Sequence, residues 1–290
     1  MFFIANHPIY NHPLPEGHRF PMLKYELLPK QLLHEGTAEC TDFYSPDSID
    51  LSLVHAVHTV SYVKALTELT LDAKAVRSIG FPLSAALVER ELRIAQGTVV
   101  GCNHALEHGI AFNIAGGTHH AFSDRGEAFC LLNDQAIAAQ YLINQKKCHK
   151  ILIVDLDVHQ GNGTAEIFQN NADVITFSMH GQSNYPFRKE TSDYDIALPD
   201  KTDDTTYLSI LQETLPELLN IHRPDFVFYL AGVDILGTDK LGKLGCTLEG
   251  CKTRDSYVLG LCKSLGIPVQ VSMGGGYSPA IKTIIEAHAN

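Results

Sequence analysis

No C-x-x-C pair occurs in the sequence, and its seven cysteines (Cys40, Cys102, Cys130, Cys148, Cys246, Cys251 and Cys262) are odd in number and scattered. That usage argues against a disulfide framework or a structural zinc site, and for reduced thiols in a cytoplasmic setting, most of them buried as small apolar side chains. No apolar run is long enough to span a bilayer. The opening residues, MFFIANHPIY, hold four apolar positions after Met1 and no basic flank, too short a pattern for a signal peptide, so neither secretion nor a membrane is expected. Basic excess is missing as well. A formal charge of -11 leaves nucleic-acid phosphates without a cationic face and suits a cationic partner such as a lysine-rich peptide. Charged tails, low-complexity blocks, internal repeats and linkers are also absent. With 45% hydrophobic and 19% charged residues, the 290-residue chain reads as one globular domain over residues 1–290 with a sizeable core.

What the sequence does have is alternation. Apolar, β-branched segments recur at FFIA (2–5), IAFNIA (110–115), ILIVDL (151–156), VITFSM (174–179), FVFYLA (226–231) and IPVQVSM (267–273). Between them, 84–108, 134–147, 205–220 and 249–265 carry apolar residues at three- and four-residue spacing, as helices do. The pattern predicts a single-domain α/β fold with an open, mostly parallel sheet and helices on both faces. The Pro- and His-rich stretch 7–22 reads as a structured loop.

Four strand ends carry polar clusters: GGTHH (116–120), DLDVH (155–159), AGVD (231–234) and GGGY (274–277). In a parallel sheet all carboxyl ends share one edge, so these clusters converge in one cleft. Taken singly, each has a structural explanation, as a chance His pair, a polar turn, a helix N-cap or a glycine turn. All four would have to coincide on one edge, which favours chemistry. Asp157 and His159 stand at alternate positions and, with Asp234, offer two oxygens and one imidazole nitrogen, leaving a position open for water. That is the composition of a catalytic zinc site, which iron(II) or cobalt(II) would also fit. His119 and His120 supply acid/base groups, with Asp155 available to fix the tautomer of one of them. Tyr277, reached over three glycines, can donate to a carbonyl oxygen as its charge develops.

The motifs GGTHHA, AFCLLND, DLDVHQGNG, TFSMH, AGVD, DKLG and GGGY occur in an order that resembles the zinc-dependent histone deacetylases of the arginase/deacetylase superfamily, most of all class IV, over nearly the whole chain. The resemblance implies one Zn²⁺ held by Asp157, His159 and Asp234, His120 as general base and acid, His119 as an electrostatic partner linked to Asp155, and Tyr277 as carbonyl clamp. It further implies Phe129 and Phe187 as tunnel walls, Leu241 near the rim, Gly275 among the substrate-binding positions, and Arg19 in an inner cavity where the acid product leaves. Ser178 and Met179, with backbone oxygens of Asp155, Asp157 and His159, match a structural potassium site. Many class I relatives have Asp where this chain has Asn162, so a neutral amide orients His120, and a less basic imidazole is expected. The arginase branch binds two manganese ions through a D-x-D pair that AGVDIL lacks, so the centre is expected to be mononuclear.

Rival patterns are weaker. HALEH (104–108) spells an inverzincin motif, but Gly109 ends that helix and a strand begins, so the His pair is expected to cap a helix end. GTDKLGKL (237–244) nearly spells a nucleotide-binding loop, with Leu244 where a Ser or Thr would hold Mg²⁺. His55 and His58 are expected to be packing residues in an apolar stretch. The expected activity is hydrolysis of an acyl-lysine amide in a peptide or protein. Alternatives are a small-molecule deacylase acting on an acylated amine such as an acetylpolyamine, or a pseudoenzyme that binds acyl-lysine without cleaving it. Oligomeric state is not legible.

Overall fold

The computed structural model describes residues 2–290. Among them eight strands form one sheet: β1 (Ile4–Ala5), β2 (Phe43–Tyr44), β3 (Ile110–Asn113), β4 (Ile151–Asp155), β5 (Val174–Gly181), β6 (Tyr194–Leu198), β7 (Phe226–Leu230) and β8 (Val269–Ser272). Their order is β2-β1-β3-β8-β7-β4-β5-β6, and every neighbouring pair is parallel. The helices are α1 (Lys24–Glu35), α2 (Leu51–Val54), α3 (Val60–Thr67), α4 (Ala73–Ile79), α5 (Ala85–His108), α6 (Asp134–Asn144), α7 (Asn162–Phe168), α8 (Asp204–His222), α9 (Leu248–Leu265) and α10 (Ile281–Ala289).

β4, β5, β7 and β8 are buried at every position, which is why they read as continuous apolar runs. Alternate residues divide between two cores. Ile151, Ile153, Phe226 and Phe228 pack with Ile94 of α5 and Leu142 of α6, whereas Leu152, Val154, Val227 and Tyr229 pack with Leu215 of α8 and Val258 of α9. Helix ends follow local chemistry: Ser84 caps α5 through the Leu87 N–H, and Gly109, at φ 93°, ends that helix one residue before β3.

The expected α/β architecture is present, with elements that periodicity did not announce. β2 is two residues long, and β6 is an edge strand with alternate residues exposed. α1 carries Pro29 in its interior, α7 starts inside the glycine-flanked HQGNG turn, and α10 follows directly on GGGYSP. Short lengths and punctuating Pro and Gly mask such elements.

The topology positions the site. From β4 the chain runs outward to β5 and β6, while β7 and β8 lie on β4's other side. The crevice at such a reversal, beyond the carboxyl ends of β4 and β7, is where open α/β sheets bind ligands. Arg254 of α9, fully buried, ties these two ends together by donating to the carbonyls of Leu156 (3.2 Å) and Gly232 (2.6 Å), with Asp255 at 2.8 Å as its counter-charge. Removing one partner of a buried ion pair is strongly destabilising. Arg254→Ala should therefore cost about 3 kcal/mol or more, read as a lowered urea midpoint.

Candidate metal centre and catalytic site

Beyond β4, Asp157 and His159 turn into the crevice, and beyond β7 Asp234 meets them, all three buried. One donor atom from each lies within 4.8 Å of the other two. His159 Nδ1 is 3.0 Å from Asp157 Oδ1 and 3.2 Å from Asp234 Oδ2. The backbone holds the outer oxygens: Gly275 N–H donates to Asp157 Oδ2 (2.8 Å) and Val158 N–H to Asp234 Oδ1 (2.9 Å). Asp234 Oδ2 is buried with no aligned donor, an orphaned acceptor facing its neighbours.

The electrostatics call for a cation. Burial and the adjacent Asp157 charge push Asp234 up to about 7. Burial disfavours a charged His159, yet its contacts with Asp157 and Asp234 raise it to about 10. Both shifts answer the same need for positive charge among these groups, and the donor set fits a hard or borderline metal.

Next to this set, His119 Nδ1 donates to Asp155 Oδ2 at 2.6 Å, and His120 Nδ1 donates to Asn162 Oδ1 at 2.6 Å. The two rings, 4.1 Å apart between centroids, differ in charge preference. Burial opposes the His119 cation, but Asp155 prevails and its pKa is raised. Burial and the positive sides of His119 and His159 hold His120 well below the usual imidazole range. Tyr277 approaches edge-on, its ring 6.4 Å from that of His159, and burial keeps its phenol protonated.

A narrow cavity of about 40 Å³ joins these groups, lined by His119, His120, Asp157, His159, Gly275 and Tyr277, with Phe129 on its wall and Tyr25 and Arg90 also on its lining. Two expectations need correction. Phe187 is 91% exposed and does not line the cavity; the ring that meets His120 edge-on, at 5.0 Å, is Tyr185, its hydroxyl held by Glu127 at 2.5 Å. Arg19 is exposed, its guanidinium 4.9 Å over Phe129; the cavity's arginine is the buried Arg90, paired with Glu91. Leu241, expected near the rim, is half-buried, its carbonyl taken by Asn184 at 2.7 Å. Phe187 and Tyr185 are two residues apart in one loop, a distance that aromatic spacing alone does not resolve.

Gly275 also has a spacing role, because a Cβ there would lie 2.1 Å from Asp234 Oδ2. Ser178 and Met179 are buried on β5, Ser178 in register with Asp155, and Ser178 Oγ lies 3.0 Å from His180 Nδ1. His58 is a satisfied core imidazole, bonded to Phe122 O and Asn133 N–H, but His55 is exposed, one turn away from the apolar side it was expected to share. The rings of His104 and His108 lie 4.3 Å apart, tilted to each other, near the end of α5.

Sequence reasoning passed over Asp239, Asp134 and Lys24. Asp239 accepts from the N–H groups of Leu241 (2.8 Å), Gly242 (2.8 Å) and Tyr277 (2.6 Å), so the near nucleotide loop is a turn that holds Tyr277, with Leu244 buried beneath it. Asp134, at the start of α6, accepts from Thr118 N–H and Oγ1 and fixes the segment that carries His119. The Asp in LLND and in GTDK was the only available signal.

An all-parallel α/β sheet with a two-carboxylate, one-imidazole centre at its switch point defines an enzyme-like, candidate mononuclear metal protein. The histone deacetylase domain profile matches residues 18–290, and the chain belongs to the histone deacetylase family. That family is generally zinc-dependent and hydrolytic, removing acyl groups from amides. The chain is 46% identical over 288 residues to an uncharacterized protein of Picosynechococcus sp., covering 99% of this chain and 96% of that protein. It is 28% identical over 279 residues to histone deacetylase 2 of Arabidopsis thaliana, covering 92% of this chain and 72% of that one. Two solved structures share the fold: the HDA15 HD domain (TM-score 0.83, 22% identity, 99% of this chain and 86% of that one) and a histone deacetylase homologue in complex with SAHA (TM-score 0.85, 23% identity, 99% and 83%).

Metal loading must displace the proton from His159. Apparent affinity for Zn²⁺ should therefore rise about tenfold per pH unit between pH 7 and 9, measured in chelator-buffered titrations, and Asp234→Ala should abolish stoichiometric binding.

Proposed function

We propose that this chain is a lysine deacylase of the class IV type, a single catalytic domain over residues 1–290 that hydrolyses acyl-lysine amides with one Zn²⁺ held by Asp157, His159 and Asp234. One observation carries the reading: Asp157 and His159, with Asp234 in ligand range of both, share one narrow, aromatic-walled cavity with a neutral imidazole and a protonated phenol. Iron(II) and cobalt(II) suit the same donors. The bound ion supplies Lewis acidity to the attacking water and the amide carbonyl.

The chain's own groups divide the remaining work. His120, its Nδ1–H committed to Asn162, has Nε2 available to accept a proton from water and then return it to the departing lysine amine. His119, paired with Asp155, places positive charge beside it. Tyr277 donates to the carbonyl oxygen as negative charge builds there. Phe129, on the cavity's lining, and Tyr185, whose ring meets His120 edge-on, are the walls offered to the lysine methylenes. Arg90, in place of Arg19, meets the released carboxylate. In the same reading, backbone oxygens of Asp155, Asp157 and His159 hold a structural potassium ion with Ser178 and Met179. The net charge of -11 suits a lysine-bearing substrate, and seven free cysteines suit the reducing cytoplasm.

Turnover of lysine peptides and polyamines carrying acyl groups from acetyl to myristoyl, compared by kcat/KM, tests the assignment. Peptide turnover supports it, exclusive polyamine turnover replaces the substrate class, and binding without turnover makes the protein an acyl-lysine binder. Tyr277→Phe should lower kcat by ~10² to 10³ with the metal retained. Asn162→Asp puts a carboxylate on His120 Nδ1 and raises its pKa. Because the base must be neutral, the acidic limb of kcat/KM should move to higher pH, seen in a pH–rate profile at constant metal content.

A further inference from the structure

Lys24, the first residue of α1, is 0% exposed, and its ammonium makes one hydrogen bond, to the carbonyl of Gly274 at 2.9 Å. Around it stand the rings of Phe20, Tyr25 and Tyr277, with centroids 5.4, 5.5 and 5.9 Å from Nζ. A buried ammonium with one acceptor is costly, and a methionine of similar shape would pack there without that cost. Burial lowers its pKa to about 8, opposed by the charges of Asp234, Asp157 and Asp239, so it is still mostly protonated at neutral pH.

The segment it touches has little else to hold it. Residues 274–276 are three glycines, with Gly274 at φ 72° and Gly276 at φ 153°, and they have no side chains to lock their path. External contacts set that path: Gly274 N–H on Gly116 O (3.4 Å), Lys24 on Gly274 O, Asp157 on Gly275 N–H, Val233 N–H on Gly275 O (2.9 Å), and Asp239 on Tyr277 N–H (2.6 Å). The polarity is matched at both ends, a cation on a carbonyl and an anion on an amide. Lys24 does not line the cavity, so it does not touch substrate.

We infer that Lys24 is a positioning residue for the reaction: its ammonium and the Asp239 carboxylate brace the triglycine segment from opposite ends and thereby set the approach of the Tyr277 hydroxyl to the scissile carbonyl. The inference rests on the reading of Tyr277 as the carbonyl donor. Displacing a reacting group by a fraction of an ångström costs rate more than substrate binding.

A double-mutant cycle on the zinc-loaded enzyme tests it, with Lys24→Met, Tyr277→Phe and the double variant assayed on one acyl-lysine peptide. Lys24→Met should lower kcat about tenfold with KM within about twofold and zinc content unchanged, and Lys24→Arg should restore most of the loss. In the Tyr277→Phe background the same substitution should change kcat by less than about twofold, because the group it positions has gone. If Tyr277→Phe is slow but Lys24→Met stays within about threefold of wild type, the Lys24 assignment falls and the Tyr277 reading survives. Equal losses in both backgrounds also overturn it, since Lys24 would then act elsewhere. A Tyr277→Phe enzyme of nearly full activity overturns both. Should Lys24→Met fail to fold, Lys24→Leu, which also removes the donor to Gly274, takes its place in the cycle, and the same losses support or overturn the inference.

Discussion

Two carboxylates forced together in the interior organise this molecule. Asp157 and Asp234 come from strands that the topology makes adjacent, and neither can swing away, because main-chain N–H groups of Gly275 and Val158 grip their outer oxygens. Left alone, two buried like charges would repel and one would take a proton, which is the sense of the raised Asp234 pKa. The fold supplies one imidazole, His159, and at metal-ligand range no lysine or arginine. Two buried cations, Lys24 and Arg254, are spent on backbone carbonyls instead. The two carboxylates therefore call for more positive charge than the side chains here supply without a protonated His159, which fits a metal ion on the Asp157, His159 and Asp234 donors.

Glycine makes that closeness possible. A Cβ at Gly232 would lie 2.3 Å from Asp157 Oδ2, and one at Gly275 would lie 2.1 Å from Asp234 Oδ2. Either contact would push a ligand oxygen out of the cluster. The glycines in AGVD and GGGY thus serve the ligands more than the turns, although each turn alone would have explained them. The same proximity explains why Tyr277 needs bracing from outside its own segment.

Legibility from the sequence followed burial. Strands covered on both faces announced themselves as apolar runs, and the polar residues that interrupt those runs at their carboxyl ends were the site: Asp155, Asp157, His159, Asp234 and the His119–His120 pair could be named because a parallel sheet has only one such edge. Residues that act through long-range contacts stayed hidden. Lys24 reads as a helix-surface lysine until Gly274, 250 positions away, is seen against it. Arg90 looks like one polar residue in a long amphipathic helix, whereas Arg19, in a conspicuous GHRFPM motif, drew the role and lies outside. Tyr185 and Phe187 differ only in which way one loop turns. Pairing partners and loop direction are three-dimensional quantities with no local periodicity to carry them.

The two neighbouring histidines show how little chemistry is needed to separate roles. His119 and His120 are identical side chains on one loop, both buried, each donating through Nδ1 across 2.6 Å. They differ in the acceptor: a carboxylate, Asp155, for one and an amide, Asn162, for the other. Burial penalises the cation in both, but only Asp155 offsets that penalty with a full charge, so the His119 pKa is raised while that of His120 is driven down towards the neutral form. The protonated His119 then adds its own repulsion to any charge on His120, which widens the gap. In the proposed mechanism His120 accepts a proton from water, and such a group has to start empty. The neutral amide at position 162 secures that condition more firmly than a carboxylate would, and the cost is weaker stabilisation of His120 once it has accepted the proton.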